Sequence, residues 1–499
     1  MRHHEQRLPP ALLDAAFRSR QWSIRRRGVI ALVAATLGVL STAPAWAESP
    51  ASASGSPDGG RKWAASWATA IQGAYVAPTT PQGAAVPAYN PQPDLSFALP
   101  DATTNGVNDQ TMRMIIKPDL WGKVIRVRFS NVFGTKPVTF SAASIALQNY
   151  QANLVHDSSV GLTFGGQSSL TVQAGQQVFS DPVRLPYVNE ETIPFLRGRN
   201  LAVSFAVQGT SGPASYHGSG FTTSYISSPG SGDVTRAEDD VSFPYSTTSF
   251  FFVSEMDVVA PKDTLVICAF GDSITDGTFS TLNGNDRWSN VLSRQLHNRY
   301  GNRVSVVNEG IGGNAVAATV AGQPATQRVG RDVLGLSGIN LVVWMEGIND
   351  LGNARSTAEP VIAGYQQVVS ALHTAGVKVI GATVTSSLVP GGQVPANSPL
   401  AAASTELAAS YGSAQTDAYR KQLNAFILTS GTFDAFADFA AVTTDSSTGT
   451  LNAPFVPNSE GSAGDYLHPN RAGYQAMGVE AANAVAALIK ASANASASR

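Results

Sequence analysis

The spacing of hydrophobic and polar residues divides the chain into two regions with different predicted secondary structure. From residue 61 to about residue 259, short alternating or β-branched segments are separated by clusters of Gly, Pro, Asn and Ser. Such segments are typical of strands joined by turns. The strands predicted there include Met112–Lys117, Val124–Phe129, Asn200–Val207 and Ser249–Val253. Their regular recurrence predicts a β-sandwich-like domain.

After Pro261 the pattern changes to continuous apolar segments that alternate with amphipathic helical segments. The predicted strands are Thr264–Phe270, Val304–Val307, Leu341–Met345, Val377–Thr383 and Phe433–Phe439. The predicted helices are Arg287–Tyr300, Ala358–Thr374, Thr416–Leu428 and Ala472–Lys490. Apolar strands joined by helices indicate a parallel sheet covered by helices on both faces. We therefore predict an α/β domain after the β-rich one.

The N-terminus has the pattern of an export signal. Three arginines, Arg25–Arg27, precede an apolar run over residues 28–40, and Ala45-Trp46-Ala47 offers a small-x-small cleavage site. The run has the length of a signal-peptide core and is short for a membrane span. We expect residues 1–47 to be removed near Ala47 and the mature protein to be secreted, to the periplasm or outside the cell. The remaining predicted divisions are a flexible leader over 48–60, a β-rich accessory domain over 61–259, a catalytic domain over 260–491 and a disordered tail over 492–499.

Composition and charge narrow the function classes. The chain has 499 residues, of which 43% are hydrophobic and 14% charged, which is ample for a large core. Without residues 1–47 it holds 26 basic and 33 acidic residues, a net charge of −7. Nucleic-acid binding needs clustered Lys and Arg, so neither nucleic acid nor an anionic membrane is expected as the partner, and no stable membrane span is predicted. The single cysteine, Cys268, lies in an apolar strand segment and is interpreted as a buried core residue.

A serine directly follows the first predicted strand of the α/β region. Ser273 stands in Gly271-Asp272-Ser273-Ile274-Thr275-Asp276-Gly277. Ligands of open parallel sheets bind at the carboxyl ends of the strands, so this serine is a candidate nucleophile. Taken alone, the tripeptide is better explained by a serine that caps the following helix or turns the chain, since Gly-Asp-Ser is common by chance.

A serine nucleophile needs a base, and one histidine has the right surroundings. His468 follows Asp465 by three residues in Asp465-Tyr466-Leu467-His468-Pro469, so one tight turn brings the carboxylate to the imidazole. Pro469 keeps His468 ahead of the last helix. Taken alone, the segment is equally consistent with a surface turn that happens to contain Asp and His. Other histidines are interpreted as structural, with His297 and His373 on helices and His156 and His217 on loops of the β-rich region.

Two further segments supply groups that can stabilise an oxyanion. The glycines of Gly310–Asn314 follow the second predicted strand and can present backbone N–H groups, while Asn349 follows the third strand and offers a side-chain amide. Each segment alone also looks like an ordinary turn after a strand. Their occurrence after consecutive strands, together with Asp465 and His468, favours a catalytic site.

The set of motifs closely resembles the GDSL family, also called SGNH hydrolases. Its four blocks correspond in order to Phe270–Gly277, Asn308–Asn314, Gly347–Asp350 and Asp465–His468, within residues 263–488. The resemblance implies a flavodoxin-like three-layer parallel sheet, the SGNH hydrolase fold. The longer string from Gly271 to Trp288, with Ser280-Thr281-x-Asn283 and Arg287-Trp288, resembles a lysophospholipase-like branch whose members often carry an N-terminal β domain. It implies Ser273 as nucleophile, His468 as general base and acid, and Asp465 as the orienting carboxylate. The implied oxyanion donors are the backbone N–H groups of Ser273 and Gly313 and the side chain of Asn349. Gly312 departs from the Ser that many members carry.

The expected function is a secreted serine esterase or lipase that forms an acyl-enzyme and needs neither metal nor cofactor. The alternatives are an acyltransferase of the same fold and a catalytically silent carbohydrate-binding protein. The expected partner is a small-molecule or polymer-linked ester, and the β-rich region is a candidate polysaccharide contact. A cation site at Asp272, Asp276, Asp286 and Asp350 is less favoured than structural hydrogen bonding by these carboxylates. Residues 385–416 are interpreted either as a wall or lid of the acyl pocket or as a mobile surface loop.

Overall fold

A computed structural model describes residues 57, 59–75, 92–392, 398–461 and 463–497. The predicted signal segment, with its cleavage point near Ala47, and most of the predicted leader lie outside these residues. Among the helices described, none combines the length and apolar character that a membrane crossing requires.

The N-terminal region is built from antiparallel strands, as predicted. They are β1 (Arg61–Ala68), β2 (Gly73–Ala74), β3 (Asn108–Ile116), β4 (Val124–Ser130), β5 (Val138–Leu147), β6 (Val160–Gly161), β7 (Leu170–Val172), β8 (Gln177–Phe179), β9 (Val183–Arg184), β10 (Leu201–Thr210), β11 (Ser215–His217), β12 (Ser224–Ile226), β13 (Tyr245–Thr247), β14 (Phe250–Phe251) and β15 (Val253–Pro261). One short helix, α1 (Ile193–Leu196), interrupts them.

Two of these sheets pack face to face. The first has the order β1-β15-β4-β8, with β9 beside β4, and the second has the order β13-β12-β3-β10-β5-β6, with β7 beside β5. Phe129 of the first sheet lies 5.2 Å from Phe140 and 5.6 Å from Phe205 of the second, measured between ring centroids. This aromatic contact fills the space between the sheets and confirms the sandwich-like arrangement. A third, three-stranded sheet has the order β14-β11-β2.

The C-terminal region contains a five-stranded parallel sheet. Its strands are β16 (Leu265–Gly271), β17 (Val304–Gly310), β18 (Ile339–Met345), β19 (Lys378–Ala382) and β20 (Ala435–Ala437), in the order β17-β16-β18-β19-β20. Counted along the chain this is the order 2-1-3-4-5 of a flavodoxin-like sheet, which confirms the predicted fold class.

Helices cover both faces of that sheet. They are α2 (Ser273–Asp276), α3 (Trp288–Tyr300), α4 (Ala325–Val329), α5 (Ile348–Gly352), α6 (Ala358–Thr374), α7 (Pro399–Ala403), α8 (Thr405–Tyr411), α9 (Ala414–Thr429), α10 (Phe439–Thr443) and α11 (Arg471–Ala497), with 3₁₀ turns at Gly301–Arg303, Pro390–Gly392 and Ala453–Phe455 and a π turn at Gly330–Leu334. Ile267 of β16 packs with α3 and α11 on one face, whereas its neighbour Cys268 packs with α6 on the other. Cys268 is fully buried, in agreement with its interpretation as a core residue.

Three stretches differ from the prediction. The predicted strand Ser249–Val253 is divided into β14 and β15, because Phe252 has a positive φ of 57° that extended backbone does not allow. The helix α11 continues to Ala497, so residues 492–497 are not the predicted disordered tail; alanine-rich sequence favours continuation of the helix. Residues 398–411, predicted as part of a loop, form α7 and α8, each started by a serine that caps its first turn.

The two regions share one hydrophobic core. A single cluster of buried side chains includes Phe129 and Met256 from the β-rich region and Phe270 and Trp344 from the parallel sheet. Backbone and side-chain hydrogen bonds also cross the boundary. The predicted boundary near residue 260 stays a prediction, and the shared core indicates that the two regions stabilise each other.

Candidate active site

The parallel register brings the ends of three strands side by side. Gly271, the last residue of β16, is paired with Gly310 at the end of β17 and with Met345 at the end of β18. The Ser273, Gly313 and Asn349 segments therefore leave the sheet from the same edge, where α/β proteins bind ligands.

Ser273 begins the short helix α2 directly after β16. The side chain of Asp272 caps this helix by accepting a hydrogen bond from the Ile274 N–H at 3.0 Å. The N–H of Ser273, at the first helical position, has no acceptor within the helix. The serine is 7% exposed, so its hydroxyl lies in a largely dry site.

The hydroxyl of Ser273 faces His468, and His468 faces Asp465. Ser273 Oγ lies 2.8 Å from His468 Nε2, and His468 Nδ1 lies 2.7 Å from Asp465 Oδ2. The other oxygen, Asp465 Oδ1, accepts the backbone N–H groups of Leu467 at 2.9 Å and His468 at 2.8 Å. The spacing of three residues lets one carboxylate hold both the turn and the imidazole, and it fixes the ring with Nε2 toward the serine.

Electrostatics keep Asp465 charged. Burial by itself raises the pKa of this carboxyl, but the charge and hydrogen bond of His468 and the two backbone N–H groups outweigh burial and lower the pKa below its ordinary value. A carboxylate that stays ionised can stabilise an imidazolium formed beside it.

The predicted oxyanion donors lie on two adjoining loops. Asn349 Nδ2 donates to the Asn314 carbonyl at 2.7 Å, which joins the Asn349 segment to the loop that contains Gly313. An amide nitrogen carries two protons, so Asn349 keeps a second N–H for a ligand. Gly313 has a positive φ of 76°, a conformation that glycine adopts without strain, and its N–H donates to no acceptor in the part of the chain described.

Two residues that support the Asn314 and Asn349 segments could not be found from the sequence. Tyr411 of α8 donates to Asn349 Oδ1 at 2.6 Å, and Arg328 of α4 donates to Asn314 Oδ1 at 2.7 Å and to the Gly271 carbonyl at 2.8 Å. Burial raises the pKa of Tyr411, so its phenol remains a donor. Both come from distant parts of the chain, and neither stands in a motif that sequence reasoning can connect to the site.

The Tyr411→Phe substitution tests whether this hydrogen bond orients the Asn349 amide. We expect kcat for p-nitrophenyl acetate to fall about tenfold, because the amide loses the bond that fixes its rotation. Phe keeps the packing of the ring, so the melting temperature should change little. An unchanged kcat would show that the Asn314 carbonyl alone orients the amide.

The acidic residues considered for a cation site are used in backbone hydrogen bonds. Asp350 accepts three N–H groups of the loop after Asn314, and the other three carboxylates each accept one, from Ile274 (Asp272), Gly312 (Asp276) and Thr281 (Asp286). Among the described residues, one group has side chains close enough together to hold a metal ion, at His156, Asp157 and Glu238 on the surface of the β-rich region.

Comparison with known families identifies this part of the chain. Residues 269–476 match the model of the GDSL-like Lipase/Acylhydrolase family. These residues form a GDSL-like lipase/acylhydrolase domain. The GDSL-like domain contains all four sequence blocks described above. A comparison with curated proteins found no match.

Several solved structures are similar to part of the chain at low identity. A GDSL-like lipase from Bacteroides thetaiotaomicron is 16% identical, with 46% of this chain and 90% of that chain covered and a TM-score of 0.32. A carbohydrate acetylesterase family member from Sinorhizobium meliloti is 18% identical, with 45% and 99% covered and a TM-score of 0.33. The native aryl esterase of M. smegmatis is 19% identical, with 45% and 99% covered and a TM-score of 0.34.

Proposed function

We propose that the protein is an exported serine esterase that hydrolyses carboxylic esters through an acyl-enzyme on Ser273. The observation that carries this proposal is the continuous hydrogen-bonded chain from Asp465 through His468 to the Ser273 hydroxyl. A serine hydroxyl is a weak nucleophile without a base, and this arrangement supplies a base that is itself oriented by a charged carboxylate. Export rests on the N-terminal signal pattern alone.

In the proposed acylation, His468 Nε2 takes the hydroxyl proton while Ser273 Oγ forms a bond to the ester carbonyl carbon. The carbonyl oxygen becomes an oxyanion, which the N–H groups of Ser273, Gly313 and Asn349 stabilise. Collapse of this intermediate breaks the bond to the alkoxy oxygen, and the alcohol leaves with the proton from His468. The positive charge on His468 during these steps is balanced by Asp465.

In the proposed deacylation, a water molecule attacks the acyl carbon and gives its proton to His468. The bond between Ser273 Oγ and the acyl carbon then breaks, Oγ recovers the proton, and the carboxylic acid is released. An alcohol acceptor in place of water would make the same residues an acyltransferase. The contacts of the site serve hydrolysis and acyl transfer equally. We propose hydrolysis because it needs no acceptor other than water.

The test is hydrolysis of p-nitrophenyl acetate and butyrate by the full chain, with Ser273→Ala as the blank. We expect release of p-nitrophenol by the wild-type protein at a rate far above the blank. Rates equal to the blank for both esters would contradict the proposed function. Longer acyl chains and an acetylated polysaccharide then define the acyl group, and product analysis with added alcohol measures transfer.

A further inference from the structure

The third antiparallel sheet of the β-rich region brings a buried histidine to the catalytic edge. His217, the last residue of β11, is 2% exposed. Its Nδ1 lies 2.7 Å from the Ala70 carbonyl, and its Nε2 lies 3.1 Å from Asp276 Oδ1. His217 was predicted to lie on a loop of the β-rich region, and that prediction is wrong because it belongs to strand β11.

Asp276 connects this histidine to the loop over residues 311–314, which contains the proposed donor Gly313 and is called the oxyanion loop. It is the last residue of α2, the helix that Ser273 begins, and it is 2% exposed. Its second oxygen, Oδ2, accepts the backbone N–H of Gly312 at 3.2 Å. Gly312 directly precedes Gly313, whose N–H is a proposed oxyanion donor. A hydrogen-bonded chain therefore runs from His217 to the peptide unit beside that donor.

The two contacts of His217 need separate protons. The Ala70 carbonyl can only accept a hydrogen bond, so Nδ1 carries a proton. The contact between Nε2 and the carboxylate is a hydrogen bond only when a second proton lies between them. His217 thus anchors the Asp276 carboxylate in one rotation while its own ring is fixed by the β-rich region.

We propose that His217 is a positioning residue that holds the oxyanion loop in its catalytic conformation through Asp276 and Gly312. The inference rests on the proposed esterase function and assigns the β-rich region a part in the reaction. Arg287 also acts on Asp276 through its charge, but its guanidinium is hydrogen-bonded to the Gly220 carbonyl. Without His217, the Asp276 carboxylate rotates toward Arg287. The hydrogen bond from the Gly312 N–H to Asp276 Oδ2 is then weakened.

The molecule supplies a matched control. A cavity of about 410 Å³ between the two regions is lined by both His217 and His297, and neither Ser273 nor His468 lines it. His297 of α3 makes the same kind of pair across the same boundary, with Asp119 Oδ2 at 3.0 Å and the Gly301 carbonyl at 2.7 Å. Asp119 has no hydrogen bond to the oxyanion loop within the described residues. Loss of His297 removes an equivalent pair without touching the site.

The experiment compares four variants with p-nitrophenyl acetate as substrate: His217→Ala, His217→Gln, His217→Asn and His297→Ala. Gln can place an amide N–H close to the position of Nε2, whereas the shorter Asn reaches only the position of Nδ1. We expect kcat to fall about tenfold in His217→Ala and His217→Asn, with KM within about twofold of wild type, because a displaced oxyanion donor weakens transition-state binding alone. His217→Gln should recover most of kcat, and His297→Ala should retain the wild-type value.

Wild-type kcat in His217→Ala would overturn the positioning role, as would equal losses in His217→Ala and His297→Ala. If His217→Ala does not fold, the comparison of Gln with Asn carries the test, and equal kcat values for these two would overturn the inference. Hydrolysis by the wild-type protein above the Ser273→Ala blank separates these outcomes from a failure of the proposed function itself.

Discussion

Replacement of Ser273 by alanine is expected to lower kcat for p-nitrophenyl acetate at least about 10⁴-fold, because the reaction loses the atom that bonds to the acyl carbon. His468 then has no serine hydroxyl proton to accept. The fold should persist, since the substitution removes one hydroxyl whose hydrogen bond contributes on the order of 1 kcal/mol to the free energy of unfolding.

The control for this variant is Ser280→Ala. Ser280 lies shortly after helix α2 and is 5% exposed, so it is buried like Ser273. It makes no hydrogen bond to His468 within the described residues. Its alanine variant should keep a kcat close to wild type. The measurement is steady-state hydrolysis together with circular dichroism and the melting temperature of both variants. Comparable kcat values for Ser273→Ala and Ser280→Ala would remove Ser273 from the mechanism.

Asp465→Asn is the second large expected effect, a loss of about 10⁴-fold in kcat with the fold intact. The Asn side-chain oxygen can still accept the backbone N–H groups of Leu467 and His468, so the turn survives. Its amide nitrogen, however, donates to His468 Nδ1, which moves the imidazole proton to Nε2. A proton on Nε2 prevents His468 from accepting the Ser273 proton.

The Asp465→Asn result is measured as kcat and KM for p-nitrophenyl acetate, with circular dichroism as the check of folding. A loss smaller than about tenfold, in a folded variant, would mean that Ser273 and His468 act as a dyad and that the carboxylate mainly holds the turn. A large increase in KM with kcat unchanged would assign Asp465 to substrate binding and contradict its orienting role.

The parts of the site that sequence reasoning found are those determined by local chain geometry. Asp465 and His468 are three residues apart, and Ser273 closely follows a strand, so local spacing made these residues candidates. The ordered combination with the Gly313 and Asn349 segments then favoured a catalytic site.

Continuous apolar segments joined by helices predicted the parallel sheet and its helical layers, whereas the flavodoxin-like strand order was implied by the family resemblance. The exact ends of these elements were less predictable. Strand β20 is shorter than the predicted strand Phe433–Phe439, and helix α11 extends beyond the predicted end at Lys490.

The parts that sequence reasoning missed depend on contacts between distant segments. Tyr411 reaches Asn349 across 62 positions, and His217 reaches Asp276 across 59. A buried tyrosine or histidine has the same local pattern whether or not it supports a catalytic group. Residues 385–416 were predicted to form a pocket wall, a lid or a mobile surface loop, and only the hydrogen bond from Tyr411 to Asn349 Oδ1 shows that α8 holds this amide in place.

The most direct test of the central claim is mass spectrometry of the wild-type protein after inactivation by diisopropyl fluorophosphate. Activated serines displace fluoride from this reagent and retain the phosphoryl group. The predicted result is one phosphoryl group per chain, located on Ser273, with loss of p-nitrophenyl acetate hydrolysis in proportion to labelling. Loss of activity with the group on a different residue, or full hydrolysis by protein completely labelled at Ser273, would contradict the assignment of Ser273 as the nucleophile.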